Sequence, residues 1–229
     1  AIGFTTSRTF NHQTSDDRPV ASRLAAWDEV AALVRVMGET GAGIFEIAGE
    51  DVGRDPQRQA DYYGRLRTLA VETGVPFVEV SMGGWDLHQN CFTTLETKLP
   101  ELDKAMSALV EDLDQRGLLD DTLVIWAGEF GRTVYCQGPL INDEFGRDHH
   151  PRCFTVWLAG GGIRAGSTVG RTDDFSYNIV QNPVHIRDFH ATVMKLLGYD
   201  HERFSFKYQG LDQRLTGVLP CRVVEELLA

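Results

Sequence analysis

Along the first third of the chain, segments with hydrophobic residues at helical spacing alternate with short apolar runs. Leu24, Trp27 and Val30 begin a helical spacing that Gly38 ends. Short, continuous apolar runs typical of buried strands separate such helices from one another. The predicted elements are, in order, helix 22–37, strand 43–48, helix 55–74 and strand 75–80. Because helices and strands alternate, the pattern predicts a parallel sheet with helices packed on it.

The rest of the chain continues the same alternation. Pro100 is placed at the start of a helix that Gly117 ends, and Gly198 ends a later helix. His185 lies in a short apolar run that predicts a strand. The other predicted elements are helix 100–117, strands 122–127 and 154–159, and helix 187–197. We therefore expect an α/β fold with a mainly parallel sheet and flanking helices.

The composition is typical of a folded protein, and the net charge disfavours some classes of binding partner. Of the 229 residues, 42% are hydrophobic and 24% are charged, which is typical of a soluble globular domain. The net charge of −11 repels phosphate backbones and anionic lipids. Small molecules or metal ions are therefore the expected partners, and nucleic acid is not.

Further sequence features disfavour a membrane span, a zinc ribbon and a redox motif. No run of about 20 apolar residues predicts a membrane span. Four cysteines without a CxxC pair disfavour a zinc ribbon or a redox motif. The chain begins at Ala1 without an initiator methionine or a signal-peptide pattern, so we expect a fragment or a processed piece. The sequence assigns neither a compartment nor an oligomeric state.

Polar clusters follow the predicted strands, where an open α/β sheet presents its ligand crevice. Asp86 and His88 come after one strand, on a loop opened by two glycines. Glu129 and Arg132 follow the next buried strand, where Glu129 can bind a metal and Arg132 can hold an oxyanion through two N–H groups. Each cluster has a structural alternative, a capping Asp86 beside a surface His88 and an ion pair between Glu129 and Arg132.

A third cluster places His149 and His150 beside Asp148, just before a predicted buried strand. Two imidazoles and a carboxylate suit zinc or a similar divalent ion. The expected metal ligands are together Asp86, His88, Glu129, His149 and His150. Mixed nitrogen and oxygen ligands on consecutive loops predict a divalent metal site, with zinc favoured and manganese, calcium and magnesium left open.

Five stretches in the second half have their counterparts, in the same order, in one known family. They are GWDLHQN (84–90), LLDDTLVIWAGEFGRT (118–133), GRDHHP (146–151), LAGGGIRAGSTVGRTD (158–173) and FKYQGLDQRLTG (206–217). Through them the second half resembles the C-terminal part of the bacterial family catalogued as domain of unknown function 1501, related to the alkaline phosphatase and sulfatase superfamily. The resemblance implies an alkaline-phosphatase-like fold for residues 77–229.

The same resemblance implies roles for individual residues. Asp86 and His88 resemble the Asp and His that bind one metal, and His149 resembles a later metal-binding His. Glu129 stands where phosphatases and sulfatases carry an Asp-His pair, and Phe130 replaces the His of that pair. The superfamily's remaining ligand and its nucleophile lie upstream of the matching region. The resemblance therefore implies an incomplete site.

The first half, residues 1–76, resembles an internal part of amidohydrolases of the N-acyl-D-amino-acid deacylase type. The likeness rests on residues 1–20 and 41–50. These proteins are metal-dependent (β/α)₈ barrels, but their metal-binding HxH motif is absent here, so no catalytic residue carries over. Both families place a sequence like ETGVPF before a strand. We therefore expect a chimera joined near residues 72–78, with the second domain beginning at residue 77.

Three functional expectations follow from these resemblances. The first is metal-dependent hydrolysis of a phosphate or sulfate ester, in which Arg132 is the catalytic residue that steadies the charge of a small anionic substrate. The second is a non-catalytic metal-binding remnant or chimera with an incomplete site. The third is an amidohydrolase that acts on N-acyl-D-amino acids.

Overall fold

The computed structural model describes residues 3–7, 13–19, 24–41, 43–48, 55–141 and 144–229. Contacts divide the chain into two units, residues 1–86 and 87–229. Within the described ranges the α-helices are α1 (Trp27–Thr40), α2 (Pro56–Glu72), α3 (Cys91–Gln115) and α4 (Ile186–Leu196). None of the helices in these ranges is both long and apolar enough to cross a bilayer.

The described strands of the first unit form a parallel sheet. The strands lie in the order β1 (Gly3–Ser7), β2 (Ile44–Ala48) and β3 (Val78–Ser81). Parallel neighbours need a long crossover, and α2 supplies it between β2 and β3. The alternation of helix and strand predicted for this part of the chain is confirmed.

The first unit has its own hydrophobic core. Val34 of α1 and Ile47 of β2 are fully buried, and Leu69 of α2 is 2% exposed. These residues belong to the apolar stripe of each helix and to the apolar run of the strand, which is why the pattern predicts their burial. Full burial of a side chain of this size contributes about 1.5–3 kcal/mol.

The boundaries of α1 differ from the predicted ones. The helix continues past Gly38, and Gly41, with a φ of 59°, ends it. Gly38 instead allows α1 to approach the end of α2, because a Cβ at this position would lie 1.5 Å from the carbonyl oxygen of Thr73. The start predicted at residue 22 lies outside the described residues.

The second unit contains antiparallel pairs instead of a large parallel sheet. The pairs are β4 (Val124–Trp126) with β7 (Trp157–Ala159), β5 (Gly131–Gln137) with β6 (Gly146–His150), β8 (Arg171–Thr172) with β9 (Ile179–Gln181), and β10 (Ser205–Tyr208) with β11 (Leu211–Arg214). The expectation of a mainly parallel sheet is therefore wrong, and the fold is mixed α/β. One physical reason is connection length. Residues 138–145 join β5 to β6, whereas a parallel crossover needs about a dozen residues or more.

Two helices of the second unit also begin at unexpected places. α3 begins at Cys91, and Pro100 lies inside it instead of at its start. His185, expected in a strand, is the residue that caps the N-terminus of α4. Its Nδ1 accepts a hydrogen bond from the Arg187 N–H, and its own N–H donates to the Asp188 carboxylate. This reciprocal pairing satisfies backbone groups that a helix terminus leaves without partners.

Candidate metal centre

The loop between β3 and α3 carries Asp86 and His88, and it is fastened to the start of β6. The N–H of Arg147 donates to the Leu87 carbonyl at 3.0 Å. Two further backbone hydrogen bonds, of 2.9 and 3.2 Å, join the start of α3 to residues 144–145. The backbone beside His88 is therefore held by β6, the strand that also carries His149 and His150.

Gly146 makes this close approach possible. A Cβ at position 146 would lie 2.1 Å from the carbonyl carbon of His88 and 2.3 Å from the carbonyl oxygen of Leu87. Gly146 is buried, so its surroundings have little room to move. Glycine at the start of GRDHHP thus brings the loop of His88 against the strand of His149.

The β5–β6 hairpin places Arg132 directly opposite His149. Opposite residues of an antiparallel pair present their side chains on the same face, so the guanidinium and the imidazole share one face. The register shifts after Arg132, and Thr133 stabilises this irregular stretch. Its buried hydroxyl accepts from the Asp148 N–H at 3.1 Å and donates to the Tyr135 carbonyl at 2.9 Å.

Asp86, His88 and His149 form a group of potential metal ligands. Each offers one ligand atom, and these atoms lie within 4.8 Å of one another. The rings of His88 and His149 are 4.9 Å apart between centroids. Tetrahedral zinc with bonds of about 2.0–2.1 Å keeps its ligand atoms about 3.4 Å apart, so movements of about 1.4 Å or less would close the group on an ion. The donor chemistry and the spacing therefore fit a zinc ion.

Gln137, at the end of β5, contacts one of these ligands. Its Oε1 lies 2.5 Å from Nδ1 of His88. The sequence interpretation missed Gln137, because 49 residues separate it from His88 and glutamine has no metal-ligand signature. A metal-binding His needs a hydrogen-bond acceptor for its second ring nitrogen, so the prediction of His88 as a ligand implies such an acceptor without identifying it.

Arg132 lies beside the metal group, and Glu129 is bound to Arg132. The Phe130 ring packs edge-on against the His149 imidazole, with 4.9 Å between centroids. The Arg132 guanidinium lies 5.9 Å from the centroid of the Phe130 ring, within reach of a cation–π interaction. The Glu129 carboxylate accepts a hydrogen bond from this guanidinium. Among the described residues the ligand group consists of Asp86, His88 and His149, so Glu129 is not part of it.

His150 lies on the other face of β6. Consecutive residues of a strand point to opposite faces, so His150 does not share the face of His149. Its side chain is buried, and its Nε2 donates to the carbonyl oxygen of Tyr177 at 2.8 Å. The imidazole also stacks on the Tyr177 ring, with 4.7 Å between centroids. The structure therefore gives His150 a packing contact and does not bring it to the ligand group.

Asp173 holds the turn that presents Tyr177 to His150. The carboxylate of Asp173 accepts hydrogen bonds from the N–H groups of Tyr177 at 2.8 Å and Asn178 at 3.0 Å. These hydrogen bonds, that of Tyr177 first, hold the pKa of Asp173 below its usual range. Burial, together with the nearby Asp173 charge, raises the pKa of the Cys153 thiol. Cys153 is therefore a protonated thiol at neutral pH, which disfavours it as a nucleophile or ligand.

These features define a mixed α/β protein with a candidate Asp/His/His metal centre. Residues 8–228 match the family model described as Protein of unknown function (DUF1501), and the chain belongs to that family. The resemblance of the second half to this family is thus confirmed, and it extends through residues 72–78 into the first half. A junction with an amidohydrolase has no support. No curated protein and no solved structure matches the chain.

Proposed function

We propose that Asp86, His88 and His149 bind a divalent metal ion, and that the chain is a metal-dependent hydrolase of the alkaline phosphatase and sulfatase type. Its substrates would be small phosphate or sulfate esters. The observation that carries this proposal is the convergence of three ligand atoms within 4.8 Å of one another. The ligands come from two chain segments that the hydrogen bonds around Gly146 hold together, which provides a site formed before the metal binds.

The ligand set favours zinc. Two imidazoles and one carboxylate suit zinc, whereas calcium and magnesium prefer oxygen ligands. Three protein ligands also leave one coordination position open, as in catalytic zinc sites. When bound, the ion would polarise an ester oxygen and neutralise part of the charge that develops there.

Arg132 would supply the positive charge that holds an anionic ester. It shares a face of the hairpin with His149, and the Phe130 ring supports its guanidinium. The Arg132 side chain is 22% exposed and that of Glu129 is 51% exposed. Because solvent screens an ion pair of this exposure, a phosphate or sulfate can compete with Glu129 for the guanidinium.

Metal content and thermal denaturation test the metal site. We expect wild-type protein to bind a single zinc ion per chain, and we expect Asp86→Ala and His149→Ala to lose it. His190→Ala is the control, because His190 is exposed on α4 and lies outside the ligand group. The proposal fails if the wild type carries no metal and its thermal midpoint does not respond to zinc, manganese, calcium or magnesium.

One observation favours a second function, metal binding without turnover. The Glu129 carboxylate engages the guanidinium that an ester would need. Hydrolysis of 4-nitrophenyl phosphate and 4-nitrophenyl sulfate by the metal-loaded protein distinguishes the two functions. Activity that Arg132→Ala abolishes without loss of metal supports the hydrolase.

That Glu129 or His150 contributes a metal ligand stays a prediction. The metal content of Glu129→Gln and of His150→Gln tests it.

A further inference from the structure

Gln137 lies where it can fix the orientation of one metal ligand. Its side-chain oxygen Oε1 is 2.5 Å from Nδ1 of His88. An amide oxygen only accepts hydrogen bonds, so Nδ1 of His88 carries the proton and donates it. A neutral imidazole has one N–H, and the nitrogen with the lone pair is then Nε2.

We propose that Gln137 is a positioning residue, which selects the Nδ1–H tautomer of His88 and thereby presents Nε2 to the divalent ion. This inference rests on the proposed metal site and deepens it. Metal-ligating histidines donate their other N–H to an acceptor, and loss of that acceptor weakens metal binding about 10–100-fold. Gln137 is an uncharged acceptor, so it orients the ring without adding negative charge to the site.

The backbone holds Gln137 in place without any need for the metal. Gln137 is the last residue of β5, and its partner in the hairpin register is Gly146 of β6. Gly146 is also the residue against which the backbone of His88 packs. One glycine contact therefore fixes the position of His88 relative to Gln137. The tautomer of His88 is consequently a property of the metal-free protein and can be measured there.

Nitrogen-15 NMR of the metal-free protein reports the tautomer of His88, because protonated and unprotonated ring nitrogens have different shifts. We expect the Nδ1–H tautomer in the wild type. We expect it also in Gln137→Glu, whose carboxylate accepts the same hydrogen bond, and a mixture with the Nε2–H tautomer in Gln137→Ala. Gln181→Ala is the matched control, since Gln181 is an exposed strand glutamine on β9.

Zinc titration of the same four proteins, at a temperature where each is folded, completes the test. We expect the zinc dissociation constant to rise about 10–100-fold in Gln137→Ala and to return toward the wild-type value in Gln137→Glu. Wild-type affinity in Gln137→Ala overturns the inference and leaves the metal site standing. If the wild type binds none of zinc, manganese, calcium and magnesium, the proposed function fails, and only the His88 tautomer then tests the role of Gln137. A tautomer change in Gln137→Ala then supports the positioning role, and an unchanged tautomer overturns it.

Discussion

Gly146 sets the distance between the two segments that carry the metal ligands. Gly146→Ala adds a methyl group that would lie 2.1 Å from the carbonyl carbon of His88. We expect the loop to move away from β6, which separates His88 from His149. The zinc affinity should fall about 10-fold or more, and the free energy of unfolding by about 1–3 kcal/mol. Isothermal titration with zinc and chemical denaturation measure these two effects.

Gly128→Ala is the control for this substitution. A Cβ at position 128 has the carbonyl oxygen of Phe130 at 3.9 Å, an ordinary contact. We expect an unchanged zinc affinity and a free energy of unfolding within about 0.5 kcal/mol of the wild type. A Gly146→Ala protein that binds zinc as tightly as Gly128→Ala would show that the close backbone approach does not align the ligands.

Single residues differ in how far their roles could be predicted. Asp86, His88 and His149 could be predicted as three of five candidate ligands, because carboxylate and imidazole chemistry is visible in the residue type. The direction of a side chain could not be predicted, since β6 (GRDHH) is polar throughout and shows no apolar alternation. His150 was therefore expected beside His149, although the two lie on opposite faces. The role of Gln137 depends on a contact across 49 residues.

At the scale of elements, two helical glycines form a matched pair. A Cβ on Gly38 of α1 would lie 1.5 Å from the Thr73 carbonyl oxygen, whereas a Cβ on Gly64 of α2 would meet no described atom within 4 Å. We expect Gly38→Ala to lower the free energy of unfolding by about 3 kcal/mol, because α1 must move away from α2. Gly64→Ala should raise it by up to about 1 kcal/mol, because alanine favours the helix.

Chemical denaturation of the two variants measures both changes. Both variants replace a helical glycine of the first unit by alanine. Opposite signs of the change in unfolding free energy therefore isolate the effect of the contact with Thr73. Stabilisation by both substitutions would mean that α1 does not approach α2 at Gly38.

Elements could be predicted where hydrophobic side chains determine them. α1, β2 and α2 contribute to one core, so their apolar spacing is strong in the sequence. The apolar runs of β4 and β7 predicted strands correctly but not their antiparallel pairing, because such a run contains no information on direction or partner. The polar β5–β6 hairpin went unrecognised, since its pairing depends on Thr133 and Gly146 instead of an apolar face.

At the scale of the whole molecule, one family covers both units. The amidohydrolase resemblance of the first half rested on residues 1–20 and 41–50 and on the helix between them. Short helix–strand units of this kind recur in many unrelated α/β proteins, because the same packing rules produce them. The motifs of the second half were more specific, since GWDLHQN and GRDHHP contain carboxylate and imidazole side chains, and GRDHHP begins with Gly146, where a Cβ would meet the backbone of His88.

Zinc should selectively stabilise the segments that carry its ligands, because a ligand raises the free energy of unfolding of the structure that binds it. The ligands lie on β6 (His149) and on the loop before α3 (Asp86 and His88). Val34 and Ile47 belong to the core of the first unit and are not among the ligands. At a free zinc concentration about 100 times the dissociation constant, the stabilisation is about 2.7 kcal/mol, or a rise of about 5–10 °C in thermal midpoint. Hydrogen exchange should slow in residues 131–150 and stay unchanged in residues 30–47.

His149→Ala provides the control for this selectivity, because it removes a ligand at an exposed position without touching the core of the first unit. Its hydrogen exchange should be the same with and without zinc in both segments. Slower exchange of residues 30–47 in zinc-loaded wild type, to the same degree as residues 131–150, would contradict a site built on the β5–β6 hairpin. Slower exchange of the hairpin alone would place the stabilising contacts where Asp86, His88 and His149 converge.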